Sequence, residues 1–234
     1  MILGLDTATE WVHLALVDGE SAWKRRAPTE PGNSASVVLL PLVDDLLQEA
    51  GAGRGDIGGA VVCIGPGGFT SLRVGVATAE GLAVLGIPTW GFSAFELRAH
   101  SLAGDGRRLV VNVILDGQRR EAFVQPWDLG EPQAIEPATK VPMAELASTI
   151  GSCDWWAPER FRPIVAPLMD HPPIALEDEG GATLDALATL CRICKDRPPE
   201  NPLVPFYLRE TDAEVNFPAA SAHLNDAHRR GLAR

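Results

Sequence analysis

The sequence predicts an α/β fold assembled from two related lobes. Three observations predict it. A strand–turn–strand phrase at Ile2–Val17 recurs at Leu109–Gln125, with Asp6 and Asp116 each ending the first strand of its pair, 110 residues apart. Gly59–Trp90 reads as strand, long helix and strand, a length that implies a parallel, right-handed crossover. Between these strands the apolar residues fall at helical spacing.

Taken in order, Ile2–Asp6 is a short apolar run ending in an acid, Thr7–Glu10 makes a turn, and Trp11–Val17 alternates in part before the Asp18-Gly19 turn signal. Leu39, Leu42, Val43, Leu46, Leu47 and Ala50 follow i, i+3, i+4 spacing, with Ser34 or Ser36 available as N-cap and Gly51 as C-cap. Pro41 belongs in the first turn of this helix or kinks it. Gly59–Ile64 reads as a buried strand, Gly65-Pro66-Gly67-Gly68 as a turn, Phe69 to Leu85 as a long helix, and Ile87–Trp90 as a strand. Leu109–Leu115, followed by Asp116-Gly117, and Glu121–Gln125 form the second pair. Pro126–Pro142 reads as loop and short strand. Ser152–Pro173, with Trp155, Trp156, Phe161 and several prolines, shows no assignable period. Leu184, Leu187, Leu190, Cys191 and Cys194 make one helix face. Pro198–Pro202 is a stiff connector and Phe206–Arg209 a short extended piece. The tail from Ala219, with His223, His228, Arg229, Arg230 and Arg234 against Asp226 alone, reads as a solvated terminus. Two domains follow, a first lobe over 1–104 and a second lobe with the tail over 105–234.

The 234 residues are 46% hydrophobic and 22% charged, which excludes a disordered or fibrous chain. Twenty basic residues stand against 31 acidic ones, a net charge of −11. That leaves little material for a basic face, arguing against nucleic acid as a direct partner while leaving open work on one held by another subunit. The first residues lack a basic region and their apolar run stops at Asp6. The uncharged stretches Ile57–Leu72 and Gly81–Phe95 are broken by Gly, Pro and Thr, so no membrane span is expected. Cysteines at 63, 153, 191 and 194 suit a reducing compartment, and a soluble cytoplasmic protein is the expectation.

Five groups of residues are candidates for chemistry. Gly65, Gly67 and Gly68 permit close backbone approach and open a helix, so they form either a structural turn or a phosphate cradle. Neither a Gly-Lys-Ser/Thr sequence nor the third glycine of a dinucleotide loop is present. Asp6 and Asp116 across a cleft would suit a metal–nucleotide complex, or each caps its own turn. Ala8 and the Gln118-Arg119-Arg120 run leave less room there than a nucleotide backbone prefers. The Phe69–Leu85 helix is lined by Gly75, Ala77, Ala79, Gly81 and Ala83, which would let a partner approach closely, and Arg73 in its first turn opposes the helix dipole. Either an acidic partner or water answers that charge. Cys191 and Cys194 read as core packing rather than a redox pair. The histidines at 13, 100, 171, 223 and 228 include no i, i+4 pair that would seat a metal, and His13 reads as a half-buried strand residue.

Ile2–Thr9, Gly65–Leu82, Ile87-Pro88 and Pro205–Arg209 together resemble the TsaB (YeaZ) family. The middle stretch is the most specific, nearly the family's Gly-Pro-Gly-Ser-Phe-Thr-Gly-Leu-Arg-x-Gly phrase, with Gly68 for Ser and Ser71 for Gly. The resemblance implies an actin-like (Hsp70–actin–sugar kinase) ATPase fold with mixed sheets flanked by helices. It also implies a non-catalytic subunit for N6-threonylcarbamoylation of the adenosine beside the anticodon in tRNAs reading ANN codons. The implied partners are the catalytic TsaD subunit, the ATPase TsaE and, when alone, a second copy; tRNA is met only indirectly. No cofactor or metal of its own is implied, although Asp6 and Asp116 would mark a vestigial nucleotide cleft with weak binding. In the family the first two helices meet the partner, which places Leu39, Leu42, Val43, Leu46, Arg73, Val76, Ala77 and Glu80 on the interface. Asn33, Ser34 and Ala35 stand where the family often has a histidine, and Asp116-Gly117-Gln118-Arg119 replaces its Asp-Ala-Arg. The alternatives are a free-standing Mg-ATP-dependent ATPase or small-molecule kinase of that fold, or a glycoprotease.

Overall fold

Alternation along the strands sends side chains to both faces of each sheet, and three cores result, the middle one shared by the two sheets. The computed structural model describes residues 1–103 and 109–208. The first sheet has β1 (Ile2–Asp6), β2 (Trp11–Asp18), β3 (Ser21–Pro28), β4 (Gly59–Gly65) and β5 (Thr89–Ser93), in the order β3-β2-β1-β4-β5. β1, β2 and β3 are antiparallel neighbours, whereas β4 runs parallel to β1 and β5 parallel to β4. Leu3, Leu5, Val12, Leu14, Leu16, Ala60 and Val62 face helices α1 (Ala35–Glu49) and α2 (Phe69–Val84). The residues between them, Ala15, Val17, Val61 and Cys63, join the other core, with α3 (Ala94–Leu102) and α6 (Glu179–Cys194).

The second sheet repeats the first in reduced form. β6 (Val110–Gln118) pairs antiparallel with β7 (Glu121–Asp128), which carries the short β8 (Gln133–Ala134) and β9 (Thr139–Pro142); β10 (Asp154–Trp156) lies parallel to β6 on its other side. Ile114, Ala122 and Val124 face α4 (Leu146–Ile150) and α5 (Arg162–Val165). Val111, Val113, Leu115, Phe123 and Trp127 turn into the core they share with α6 and the first sheet. The α6 helix therefore belongs to the second half of the chain but packs on β1, β2 and β3. Gly4 makes this contact close: a Cβ there would sit 2.6 Å from Cys191 Sγ.

Both helices of the outer face form where the periodicity predicts them. Ser34 precedes α1 and Gly51, with φ +66°, follows it, a conformation in which glycine has no Cβ to strain. Pro41, however, lies well inside α1 rather than in its first turn, on the exposed side. The strand expected at Ile87–Trp90 starts at Thr89, because Ile87 N–H is still bonded to Leu82 of the preceding helix end. β10 was illegible as a strand for a physical reason. Trp155 and Trp156 are both fully buried, so a parallel strand covered on two faces shows no alternation.

The connector after α6 returns along the first sheet. Thr89 Oγ1 donates to Glu200 O at 2.7 Å, Glu200 N donates to Thr89 O at 2.7 Å, and Phe206 N donates to Ile64 O at 2.6 Å. Leu203 enters the core under α1 and α2. Arg209 and the basic tail lie outside the described residues.

Candidate functional site

The β1–β2 turn is held by hydrogen bonds at Thr7 and Ala8. Asp6 and His13 are cross-strand partners in register, so their side chains share a face. Asp6 Oδ1 accepts the Ala8 N–H at 3.0 Å, and Oδ2 lies 3.3 Å from His13 Nδ1 and 3.5 Å from Arg98 Nη2. Asp6 is fully buried, and His13 and Arg98 are each 4% exposed. Burial alone pushes the Asp6 carboxyl up. The approach of His13, the Arg98 charge and the Ala8 N–H outweigh it and hold the group below its ordinary value. Arg98 in turn donates to Thr183 Oγ1 on α6 at 2.7 Å, so the carboxylate is tied through α3 to the second half of the chain.

The glycine turn packs on the same hairpin. Gly68 N–H donates to Ala8 O at 2.8 Å, and a Cβ on Gly67 would overlap Ala8. Gly65 has φ +112°, and a Cβ there would meet Phe206 O at 2.8 Å; the Gly65–Pro66 peptide is cis. The close approach these glycines permit is to the chain's own backbone at Ala8 and Phe206. That arrangement fits the structural-turn reading.

Asp116 is placed differently. It is exposed, and its Oδ1 accepts the Gln118 N–H at 2.7 Å. Gln118, Arg119 and Arg120 all take left-handed φ, at 58°, 48° and 65°. The acid that matches Asp6 in sequence thus caps its own turn, and Gln118 and Arg120 are exposed beside it.

Side-chain direction redistributes the eight residues read as a partner interface. Leu39, Val43, Leu46 and Val76 are buried in this molecule's own core under the first sheet, because the apolar stripe of an amphipathic helix faces the nearest sheet. Leu42 and Glu80 are half-buried, while Arg73 and Ala77 are exposed. The outward surface of α1 and α2 instead shows Val37, Leu40, Phe69 and Val84. The small residues divide the same way. Gly75 and Ala79 face inward, Gly75 against Thr7, whose Oγ1 donates to Ser71 O at 2.7 Å; Ala77 and Gly81 face out. Among the described residues Arg73 meets an aromatic ring and a phenol rather than an acid. Its guanidinium lies 3.8 Å from the Phe69 ring centroid, and Nε donates to Tyr207 Oη at 3.3 Å.

Cys191 and Cys194 are buried in the shared core, and burial pushes both thiols up, Cys194 to about 12, as befits packing rather than redox chemistry. Among the described residues no three His, Cys, Asp or Glu side chains converge as a metal site, and no helix is long and apolar enough to cross a membrane.

A cavity of about 400 Å³ opens beside the Asp6 cluster. His13, Arg98 and Thr183 border it, together with Thr9–Trp11, Arg26, the 158–160 loop and the start of α6. Asp116 does not line it. His13, expected as a half-buried strand residue, and Arg98, not singled out in the sequence, are instead buried partners of Asp6: His13 stands opposite it across a short turn, and Arg98 lies on the buried face of α3.

Two mixed sheets with related strand orders, flanked by helices and sharing one core, give the chain an actin-like ATPase-type fold. The fold comparison agrees: YeaZ from Pseudomonas aeruginosa superposes with a TM-score of 0.70 at 24% identity, over 88% of this chain and 99% of that one. A family model described as TsaD, tRNA N6-adenosine threonylcarbamoyltransferase, matches residues 27–133. An uncharacterized protein of Mycobacterium tuberculosis is 30% identical over 224 residues, 91% of this chain and 93% of its own. The tRNA threonylcarbamoyladenosine biosynthesis protein TsaB of Escherichia coli is 39% identical over 85 residues, covering 36% of this chain and 35% of that protein. Its Bacillus subtilis counterpart is 30% identical over 125 residues, 52% of each chain. The chain belongs to the TsaB (YeaZ) family.

Proposed function

We propose that this chain is a non-catalytic partner subunit for N6-threonylcarbamoylation of tRNA, working in a complex with a TsaD-type transferase. The observation that carries the reading is the fate of Asp6. In an actin-like fold the end of the first strand is where a nucleotide phosphate would be met, and here that carboxylate is fully buried and balanced by Arg98 and His13. Its counterpart Asp116 caps its own turn. A pair occupied in this way supports a scaffold role with a vestigial cleft and argues against an independent ATPase.

The partner surface in this reading is the outward side of α1 and α2, with Val37, Leu40, Leu42, Arg73, Ala77, Glu80 and Val84. A specific complex on it would bury about 1,200–2,000 Å² in total. A second copy would use the same surface when TsaD is absent, TsaE would join the pair, and tRNA would reach the complex through TsaD. The test is reconstitution with the TsaD and TsaE of the same organism. A stable complex and tRNA modification that requires this chain are expected; no complex and no change in modification would refute the proposal. Leu40→Glu should abolish the complex while leaving the fold intact, since the side chain is 56% exposed.

A further inference from the structure

We propose that the outward face of α1 and α2 is covered, in the free chain, by the chain's own residues 210–230, which a partner subunit must displace. The inference rests on the reading of that face as the partner surface and adds its regulation.

The place where these residues begin is the first observation. Phe206 N–H donates to Ile64 O, and Tyr207 follows onto the first turn of α2, its ring centroid 5.6 Å from that of Phe69 and its hydroxyl accepting Arg73 Nε. Residues 209–234 therefore follow from the N-terminal end of the outward stripe of α2, which runs through Arg73, Ala77, Gly81 and Val84. At its far end Val84 and Leu85 are 87% and 76% exposed, and a Cβ on Gly81 would meet nothing within 4 Å. An apolar pair so open, beside a floor of small residues, marks a contact surface.

The sequence that follows Leu208 has the matching pattern. Thr211, Ala213, Val215 and Phe217 alternate with Glu210, Asp212, Glu214 and Asn216. Period-two alternation is that of an extended segment with one apolar face, and such a face needs a surface to lie on. From Arg73 to Val84 the helix rises about 17 Å. The stretch from Leu208 to Phe217 spans up to about 33 Å when extended, enough to set Val215 and Phe217 against Val84 and Leu85. Glu210, the first acid on the way, passes Arg73, which has no acid of its own among the described residues.

Charge is the second, independent observation. β3, β4 and β5 all run parallel to β1, so α1 and α2, which join β3 to β4 and β4 to β5, run the same way and end together. Neither helix has a basic residue in its last turn, so two negative dipole ends lie at one edge. Arg54 and Arg25 answer Asp44 and Glu49, whereas Asp45 and Glu80 have no cation among the described residues. Residues 219–234 set Arg229, Arg230 and Arg234 against Asp226 alone, in a chain of net charge −11. With Val215 and Phe217 on α2, Arg229 and Arg230 supply the positive charge that this edge lacks.

The experiment compares the full chain with two double variants, Val215→Asp with Phe217→Asp and Arg229→Glu with Arg230→Glu, by backbone NMR at several protein concentrations. Amides of residues 44–48 and 77–86 should shift in both variants, equally at every concentration. A difference that grows with concentration would give the face to a second copy, and no difference would leave it bare; either overturns the proposal. Binding of the transferase subunit is read separately. Both variants should bind it about fivefold more tightly than the native chain, because the face no longer has to be vacated. Shifts present with no transferase binding by any of the three chains would sink the scaffold reading and leave the self-contact standing. Equal binding by all three with no shifts would do the reverse.

Discussion

The two strand pairs share one sequence phrase and differ in what surrounds it. In the first, the turn after β1 is covered by the glycine turn, by α2 and, through Arg98 and Thr183, by α6; Asp6 is buried with its charge met inside the protein. In the second, the turn after β6 is open, Asp116 is exposed, and three successive residues hold left-handed backbone angles. The difference teaches that a sequence phrase found twice can keep its hairpin but not its electrostatics. An acid at the end of a strand becomes a structural ion pair or a turn cap according to which helix lies over it.

The largest effect should separate the two acids. Asp6→Ala leaves Arg98 buried without its counter-charge, which typically costs about 3–5 kcal/mol. Asp116→Ala removes one exposed turn hydrogen bond, about 1 kcal/mol or less. Urea denaturation of both variants checks the contrast, and similar losses would show that the two turns are equivalent after all. Acid unfolding sharpens it. The Asp6 carboxyl sits below its ordinary 3.8 in the fold, so its stabilisation is present above that value and is lost as pH falls through the lower folded pKa. Between pH 5 and 2 the protein should therefore lose stability more steeply than Asp6→Asn, which lacks this group.

Next in size are the glycines that let the first turn be covered. A Cβ on Gly75 would lie 2.5 Å from Thr7 Oγ1, whereas one on Gly81 in the same helix meets nothing within 4 Å. Gly75→Ala should cost about 1–3 kcal/mol by overpacking, and Gly81→Ala should gain about 0.5–1 kcal/mol from helix propensity. Thermal melts of the pair check both signs. If Gly75→Ala is as benign as Gly81→Ala, the packing of α2 on the first turn is not what holds Thr7.

Much of this architecture was legible in the residues. The i, i+3, i+4 spacing of Leu39–Leu47 located α1, the glycine turn located the start of α2, and the repeated Asp-ending strand located an antiparallel pair in each of the two sheets. What stayed hidden required tertiary knowledge. Trp155 and Trp156 are buried on both faces and carry no period, so β10 could not be read. The apolar positions of α1 and α2 announce a buried stripe but do not say whether it meets a sheet or another protein, and here Leu39, Val43, Leu46 and Val76 meet the sheet. Likewise Arg98 and Thr183 lie 85 residues apart in the chain and become part of the Asp6 cluster only because α6 packs back on the first sheet.

The smallest effect tests the open turn. Arg120 has φ +65° and is exposed, and its carbonyl accepts the Met143 N–H at 2.9 Å. A side chain in the left-handed region costs roughly 1–2 kcal/mol. Glycine removes that cost but loses about 0.5–1 kcal/mol more backbone entropy on folding. Arg120→Gly should therefore stabilise by about 0.5–1 kcal/mol, with the Met143 hydrogen bond retained because it uses the backbone. The first turn differs, since Gly67, Gly68 and Gly75 pack directly on its residues Ala8 and Thr7. A destabilised Arg120→Gly in the same urea assay would mean that the Arg120 side chain is held by contacts as tightly as the first turn is, and the contrast between the lobes would narrow to the acids alone.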